Sequence, residues 1–119
     1  MALDFLEELK VLDLGQGISG PFCAKLLADL GAKVVKVEPP AGDPSRSMGP
    51  FPDDLPDPEK SGAFLSLNTN KLGITLNLET AGGRDLLLQL VDGADLLVEN
   101  YPPSYLPGAG LDFATLHAR

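Results

Sequence analysis

The chain has 119 residues, 44% of them hydrophobic and 22% charged, an ordinary globular composition with room for one domain. Nine Lys and Arg against seventeen Asp and Glu leave a formal charge of −8, which repels a phosphate backbone and argues against a nucleic-acid partner. One cysteine, Cys23, allows no internal disulfide, the apolar runs are too short to span a bilayer, and Met1 to Lys10 lacks the basic start of a signal peptide, so a soluble, cytoplasmic protein is expected.

Leu9 to Leu14 (LKVLDL) is a short apolar run stopped by Gly15 and reads as a buried strand. Behind the glycine-rich turn Gly15 to Gly20, Pro21 suits a first helical turn, and Phe22, Cys23, Leu26, Leu27 and Leu30 form an apolar stripe closed by Gly31. Cys23 is expected in the core with them. Lys33 to Glu38 (KVVKVE) is a second strand, halted by Pro39-Pro40, so the first third of the chain is one βαβ unit. From about residue 39 to 62 seven prolines and many acids interrupt any periodicity, and a long loop is expected there.

Ala63 to Leu67 fits a short strand or a turn of helix, and Gly73 to Leu78 (GITLNL) alternates as a third strand. Thr80 caps a helix from about Ala81 to Val91 with Leu86, Leu87, Leu90 and Val91 inward, and Ala94 to Glu99 is a fourth strand. This second βαβ unit makes the fold class α/β, with a mostly parallel sheet covered by helices. Pro102, Pro103 and Pro107 break the chain beyond that strand, and Asp112 caps a last short helix.

Gly15-x-Gly17-x-x-Gly20 after a strand, with Glu38 closing the next strand eighteen positions later, matches a dinucleotide fingerprint. Glycines there let the backbone approach a pyrophosphate at a helix N-terminus, and the carboxylate takes a ribose hydroxyl. The alternative is a glycine-rich turn with no nucleotide, since Pro21 removes one amide from the anion-facing turn. Asn68-Thr69-Asn70-Lys71 offers amides and an ammonium suited to a phosphate, or is merely a polar turn. Asn100-Tyr101 comes after the fourth strand, at the edge where open α/β sheets bind ligands. His117 reads as helix surface, and Asp43, Asp53, Asp54, Asp57 and Glu59 as a solvated charge run; with no Cys/His cluster of ligand spacing, no metal is expected.

Three blocks in order, VLDL through SGPFCAKLLADLGAKVVKVEPPAGDPSR, then LNTNKLGITLNLET, then GADLLVENYPP, resemble the start of the class III coenzyme A transferases over about Leu9 to Phe113. That family includes formyl-CoA:oxalate and carnitine CoA-transferases and the alpha-methylacyl-CoA racemases. The resemblance implies that residues 1–119 are a Rossmann-like, three-layer CoA-binding portion built from two βαβ units. It implies coenzyme A as the acyl carrier, CoA thioester and carboxylic acid substrates, and a homodimer or a partner chain carrying a missing segment. By the same resemblance Gln16, Gly17, Ile18, Ser19, Glu38 and Pro39 lie near the CoA adenine and ribose, while Asn68, Asn70, Lys71, Asn100 and Tyr101 line the diphosphate and pantetheine path.

The chain departs from its relatives at Pro39 and at Pro107-Gly108, where many carry basic residues. Each lost charge-assisted phosphate contact would cost about 1.5–3 kcal/mol, leaving Arg46 and Lys71 to compensate. The family's aspartate nucleophile lies beyond the fourth strand, Asp13 reads as structural, and the chain alone is expected to have no transferase activity. A non-catalytic CoA-binding or interaction module, or an NAD-binding module, remain the alternatives.

Overall fold

The computed structural model describes residues 4–119. Four strands, β1 (Lys10–Asp13), β2 (Lys33–Glu38), β3 (Leu72–Thr75) and β4 (Leu96–Val98), form one sheet in the order β3-β2-β1-β4, and every pairing is parallel. Helix α1 (Ser19–Asp29) connects β1 to its neighbour β2, as expected for a βαβ unit. The second unit is different: α3 (Ala81–Asp92) links β3 and β4, which stand at opposite edges of the sheet. Sequence patterning identifies the strands correctly but not the pairing, because the two central places are already taken by β1 and β2.

Strand alternation sends successive residues to opposite faces and produces two cores. One holds Val11 and Val34 against Ala24 and Ala28 of α1. The other holds Leu12, Leu14 and Val37 against Leu78, Leu87 of α3, and Leu106 and Leu111. Leu106 lies in α4 (Tyr105–Gly108), which precedes α5 (Phe113–His117) with its Asp112 cap.

Two helical faces differ from the expected ones. In α1 the buried residues are Gly20, Pro21, Ala24 and Ala28, whereas Phe22 and Leu26 are about half exposed and Cys23 is exposed. The reason is size: small residues four apart let the helix lie close over Val11 and Val34, and bulkier side chains turn away. In α3 Leu87 is fully buried but Leu86 points outward. The segment Ala63 to Leu67 resolves as helix, α2 (Gly62–Leu67), capped by the Ser61 hydroxyl on the Phe64 amide. Strand β3 ends at Thr75 rather than Leu78, although the Leu76 amide still donates to the Glu38 carbonyl. The proline-rich loop is ordered around two short 3₁₀ turns, Pro44–Ser47 and Pro52–Asp54.

Candidate functional site

The turn Gly15–Gly20 leaves the carboxyl end of β1, which β2 and β4 flank, and α1 begins there at Ser19 without a side-chain cap. Two glycines touch across this turn. A Cβ on Gly20 would stand 2.7 Å from the Gly15 Cα, so the close packing of helix on strand requires glycine. Gly17 adopts φ +72, the left-handed region that bends the chain between them.

Asn100, just past β4, pins the turn from the side. Its Oδ1 accepts from the Gln16 amide at 2.7 Å, and its Nδ2 donates to the Gln16 carbonyl at 2.8 Å and to Ser19 Oγ at 3.0 Å. Gln16, Ser19 and Asn100, singled out separately in the sequence, are thus one hydrogen-bonded unit.

Beneath the turn lies a buried charge cluster. Asp13 and Lys36 are register partners on the α1 face of the sheet and are essentially inaccessible to solvent. Asp13 accepts the Gly15 amide at 2.9 Å on one oxygen and the Lys71 ammonium at 2.8 Å on the other. Lys71 donates further to the carbonyls of Pro21 and Leu67 and to Asn68 Oδ1. Its side chain is 2% exposed, and burial pulls its pKa down while the Asp13 ion pair opposes that shift. Lys36 donates to the Gly15 carbonyl at 3.0 Å and lies 2.9 Å from Asp43 Oδ2, an ion pair off the hydrogen-bonding direction.

Asp43 is a correction to the solvated charge run: it is 3% exposed, while Asp53, Asp54 and Glu59 do lie outside. Its Oδ1 accepts the Gly17 amide at 3.1 Å and both the amide and hydroxyl of Ser45. Burial raises its pKa, but the contacts from Lys36 and Ser45 outweigh this and hold it low. Glu38 is gripped by Arg46, whose Nε and Nη2 each donate at 2.7 Å, and it accepts the Asp43 amide. Burial raises the Glu38 pKa too, and the Arg46 fork with the Asp43 amide brings it below its ordinary value.

On the opposite face of the sheet a cleft of about 280 Å³ opens at the carboxyl ends of β2 and β3, between Val37, Pro39 and Pro40 on one side and Leu76, Asn77, Tyr101 and Tyr105 on the other. Tyr101 stacks on Tyr105 with ring centroids 4.3 Å apart, and burial lifts its hydroxyl to a pKa of about 12, so it remains a neutral donor. The volume suits part of a ligand rather than a whole one.

The residues expected at the site therefore form three groups. Gln16, Gly17, Ile18, Ser19 and Asn100 make the turn, Pro39 and Tyr101 wall the cleft, and Glu38, Asn68 and Lys71 face inward as supports. Asn70 joins none of them: it donates to Asp29 at the far end of α1. Sequence patterning passes over Asp43, Lys36 and the Glu38–Arg46 fork. The available signal was a charge inside an otherwise apolar strand, at Asp13 and at Lys36. His117 is exposed beside Phe113, and among the described residues no group of His, Cys, Asp or Glu could hold a metal ion.

The glycine turn, its polar pins and the aromatic cleft are gathered at the carboxyl edge of a parallel α/β sheet, the edge at which open α/β sheets bind ligands. The profile of CoA-transferase family III matches residues 6–119, and the chain belongs to that family. It is 44% identical over 111 residues to succinyl-CoA:mesaconate CoA-transferase of Haloarcula marismortui, covering 93% of this chain and 28% of the relative. It is 43% identical over 116 residues to succinyl-CoA:(R)-benzylsuccinate CoA-transferase subunit BbsE of Thauera aromatica, covering 98% of this chain and 28% of the relative. A CAIB/BAIF family protein of Brucella suis superposes with a TM-score of 0.86 at 36% identity, covering 98% of this chain and 31% of that one. The chain thus spans less than a third of the length of these relatives.

Proposed function

We propose that the chain is the CoA-binding N-terminal part of a class III CoA-transferase, an enzyme that moves CoA between an acyl-CoA and a carboxylic acid. The observation that carries this reading is the match of the family across nearly the whole chain, residues 6–119. The cleft beside Pro39 takes the adenine end of the cofactor, and the rest runs along its Tyr101 wall and past the outside of the turn Gln16–Ser19 that Asn100 pins. Arg46 and Lys71 are committed to Glu38 and Asp13, so they do not replace the basic residues missing at Pro39 and Pro107-Gly108. CoA binding by this chain is accordingly weak.

The nucleophile that the family resemblance implies is an aspartate, and to attack an acyl group its carboxylate has to be free. Asp13 and Asp43, the aspartates under the turn, are buried in ion pairs and accept amides, so they are supports. The chain by itself binds, and the nucleophile is supplied by a further segment or a second subunit, in the cytoplasm.

Isothermal titration with CoA, with NAD as control, at low and moderate salt tests the reading. A CoA heat that is absent for NAD is expected at both salt levels. Equal binding of NAD, or no CoA heat at low salt, would refute it, and saturable CoA transfer by the chain alone would refute the division of labour.

A further inference from the structure

We propose that the segment Gly42–Ser47 is a specificity element that fills, from inside the fold, the two positions a dinucleotide would use at the Gly15–Gly20 turn and at Glu38. In the fingerprint the second glycine lets the backbone meet a pyrophosphate, and the acid at the end of the second strand takes a ribose hydroxyl. Here an anion already stands at the second glycine: Asp43 Oδ1 is 3.1 Å from the Gly17 amide, and Lys36, 2.9 Å from Oδ2, is its counter-cation. The Gly15 and Gln16 amides are likewise occupied, by Asp13 and Asn100.

The acid is occupied as well. Both Glu38 oxygens accept from the Arg46 guanidinium, which lies 3.7 Å over the Phe64 ring and donates to the Pro58 carbonyl. Asp43 thus stands where the phosphate would, and Arg46 where the ribose hydroxyls would, both on one short turn. Ser45 holds the carboxylate of Asp43, and Ser61 in turn donates to the Ser45 carbonyl, so the element is tied to the loop behind it. A pyrophosphate entering the turn would have to share one amide with a buried carboxylate, and like charges repel strongly away from water. The literal fingerprint is therefore closed to NAD- and FAD-type ligands, and a nucleotide reaches this protein only on the other side of the sheet edge. This rests on hydrogen bonds and burial and does not depend on the CoA reading.

The test is thermal unfolding of the purified chain and its Asp43→Ala variant at matched ionic strength in inorganic pyrophosphate, in formate or in sodium chloride. The wild type is expected to melt at the same temperature in all three. Asp43→Ala should melt lower in chloride, and both formate and pyrophosphate should raise its midpoint with saturation, the vacated position now taking an anion. Asp43→Asn keeps the shape and loses the charge, so neither anion should raise its midpoint. Rescue by formate without any response to pyrophosphate would mean that Asp43 is a structural anion only, and would overturn the proposal. So would a pyrophosphate response in the wild type equal to that of Asp43→Ala. If Asp43→Ala does not fold in chloride, refolding yield is the readout: recovery in pyrophosphate upholds the proposal, and none overturns it. A wild type that fails to bind CoA while Asp43→Ala gains pyrophosphate would sink the CoA reading and leave this one standing.

Discussion

Replacing Lys71 by Met separates two roles that the sequence leaves open, phosphate ligand and internal support. The side chain is 2% exposed, and its ammonium shares three N–H groups among four acceptors within 3.1 Å, of which Asp13 Oδ2 is itself fully buried. Removing one partner of a buried ion pair typically costs about 3–5 kcal/mol, because a charge is left without compensation. Lys36 still lies 3.8 Å from the same Asp13 oxygen, which puts the expectation near the lower end, at about 3 kcal/mol. For a chain of this size that corresponds to a fall of roughly 10–15 °C in the unfolding midpoint. Thermal melts monitored by circular dichroism would measure it. The double variant Asp13→Asn, Lys71→Met should lose less than the two single losses added together, since the charge stranded by the second change is absent after the first. A Lys71→Met melt within a degree or two of wild type, combined with loss of CoA binding, would refute the support role and make Lys71 a ligand.

The same network sets three further outcomes. Glu38 and Asp43 both have pKa values held below their ordinary 4.5 and 3.8, so the folded state binds fewer protons than the unfolded chain in that region. The stabilisation is complete above about pH 5 and is lost as pH falls through those ordinary values and then the folded ones, so urea midpoints should be flat near neutrality and drop in acid. Arg46→Ala should shallow that drop, and an unchanged slope would contradict the assignment. Gly20→Ala should destabilise by about 1–3 kcal/mol through overlap with the Gly15 backbone, whereas Gly82→Ala, where a Cβ meets nothing within 4 Å, should be neutral or stabilising; melts showing the same sign for both would contradict the packing argument. Asn100→Ala removes three hydrogen bonds from a partly solvated turn, so stability should fall by no more than about 1–2 kcal/mol while CoA affinity falls about tenfold, and a titration indistinguishable from wild type would remove Asn100 from the ligand path.

Much of the fold was legible because its signals are local. Val11-Leu12 and Val34-Val35 mark strands whatever surrounds them, and the caps Thr80 and Asp112 both accept the amides their positions require. Pairing order was not legible, since nothing in GITLNL or ADLLVE says which neighbour each strand will find. The buried face of α1, Gly20, Pro21, Ala24 and Ala28, is illegible for a related reason. Hydrophobic periodicity weighs Phe22 and Leu26 above Ala24 and Ala28, but the sheet selects by size, and that distance exists only in three dimensions.

The same limit explains the candidate site. A motif states which groups a backbone could offer, not whether the fold uses them itself. Gly15-x-Gly17-x-x-Gly20 and Glu38 offer amides and a carboxylate as the fingerprint requires, yet the short segment beyond Glu38 that carries Asp43 and Arg46 returns to take them. What distinguishes this turn from an open one is written in those two residues, of which Asp43 reads as a solvated loop charge and Arg46 as a free phosphate contact until their partners are known. A charged residue inside an apolar strand is the one local sign that such partners exist: Lys36 between Val35 and Val37 cannot be buried without an anion, and the nearest available is Asp43.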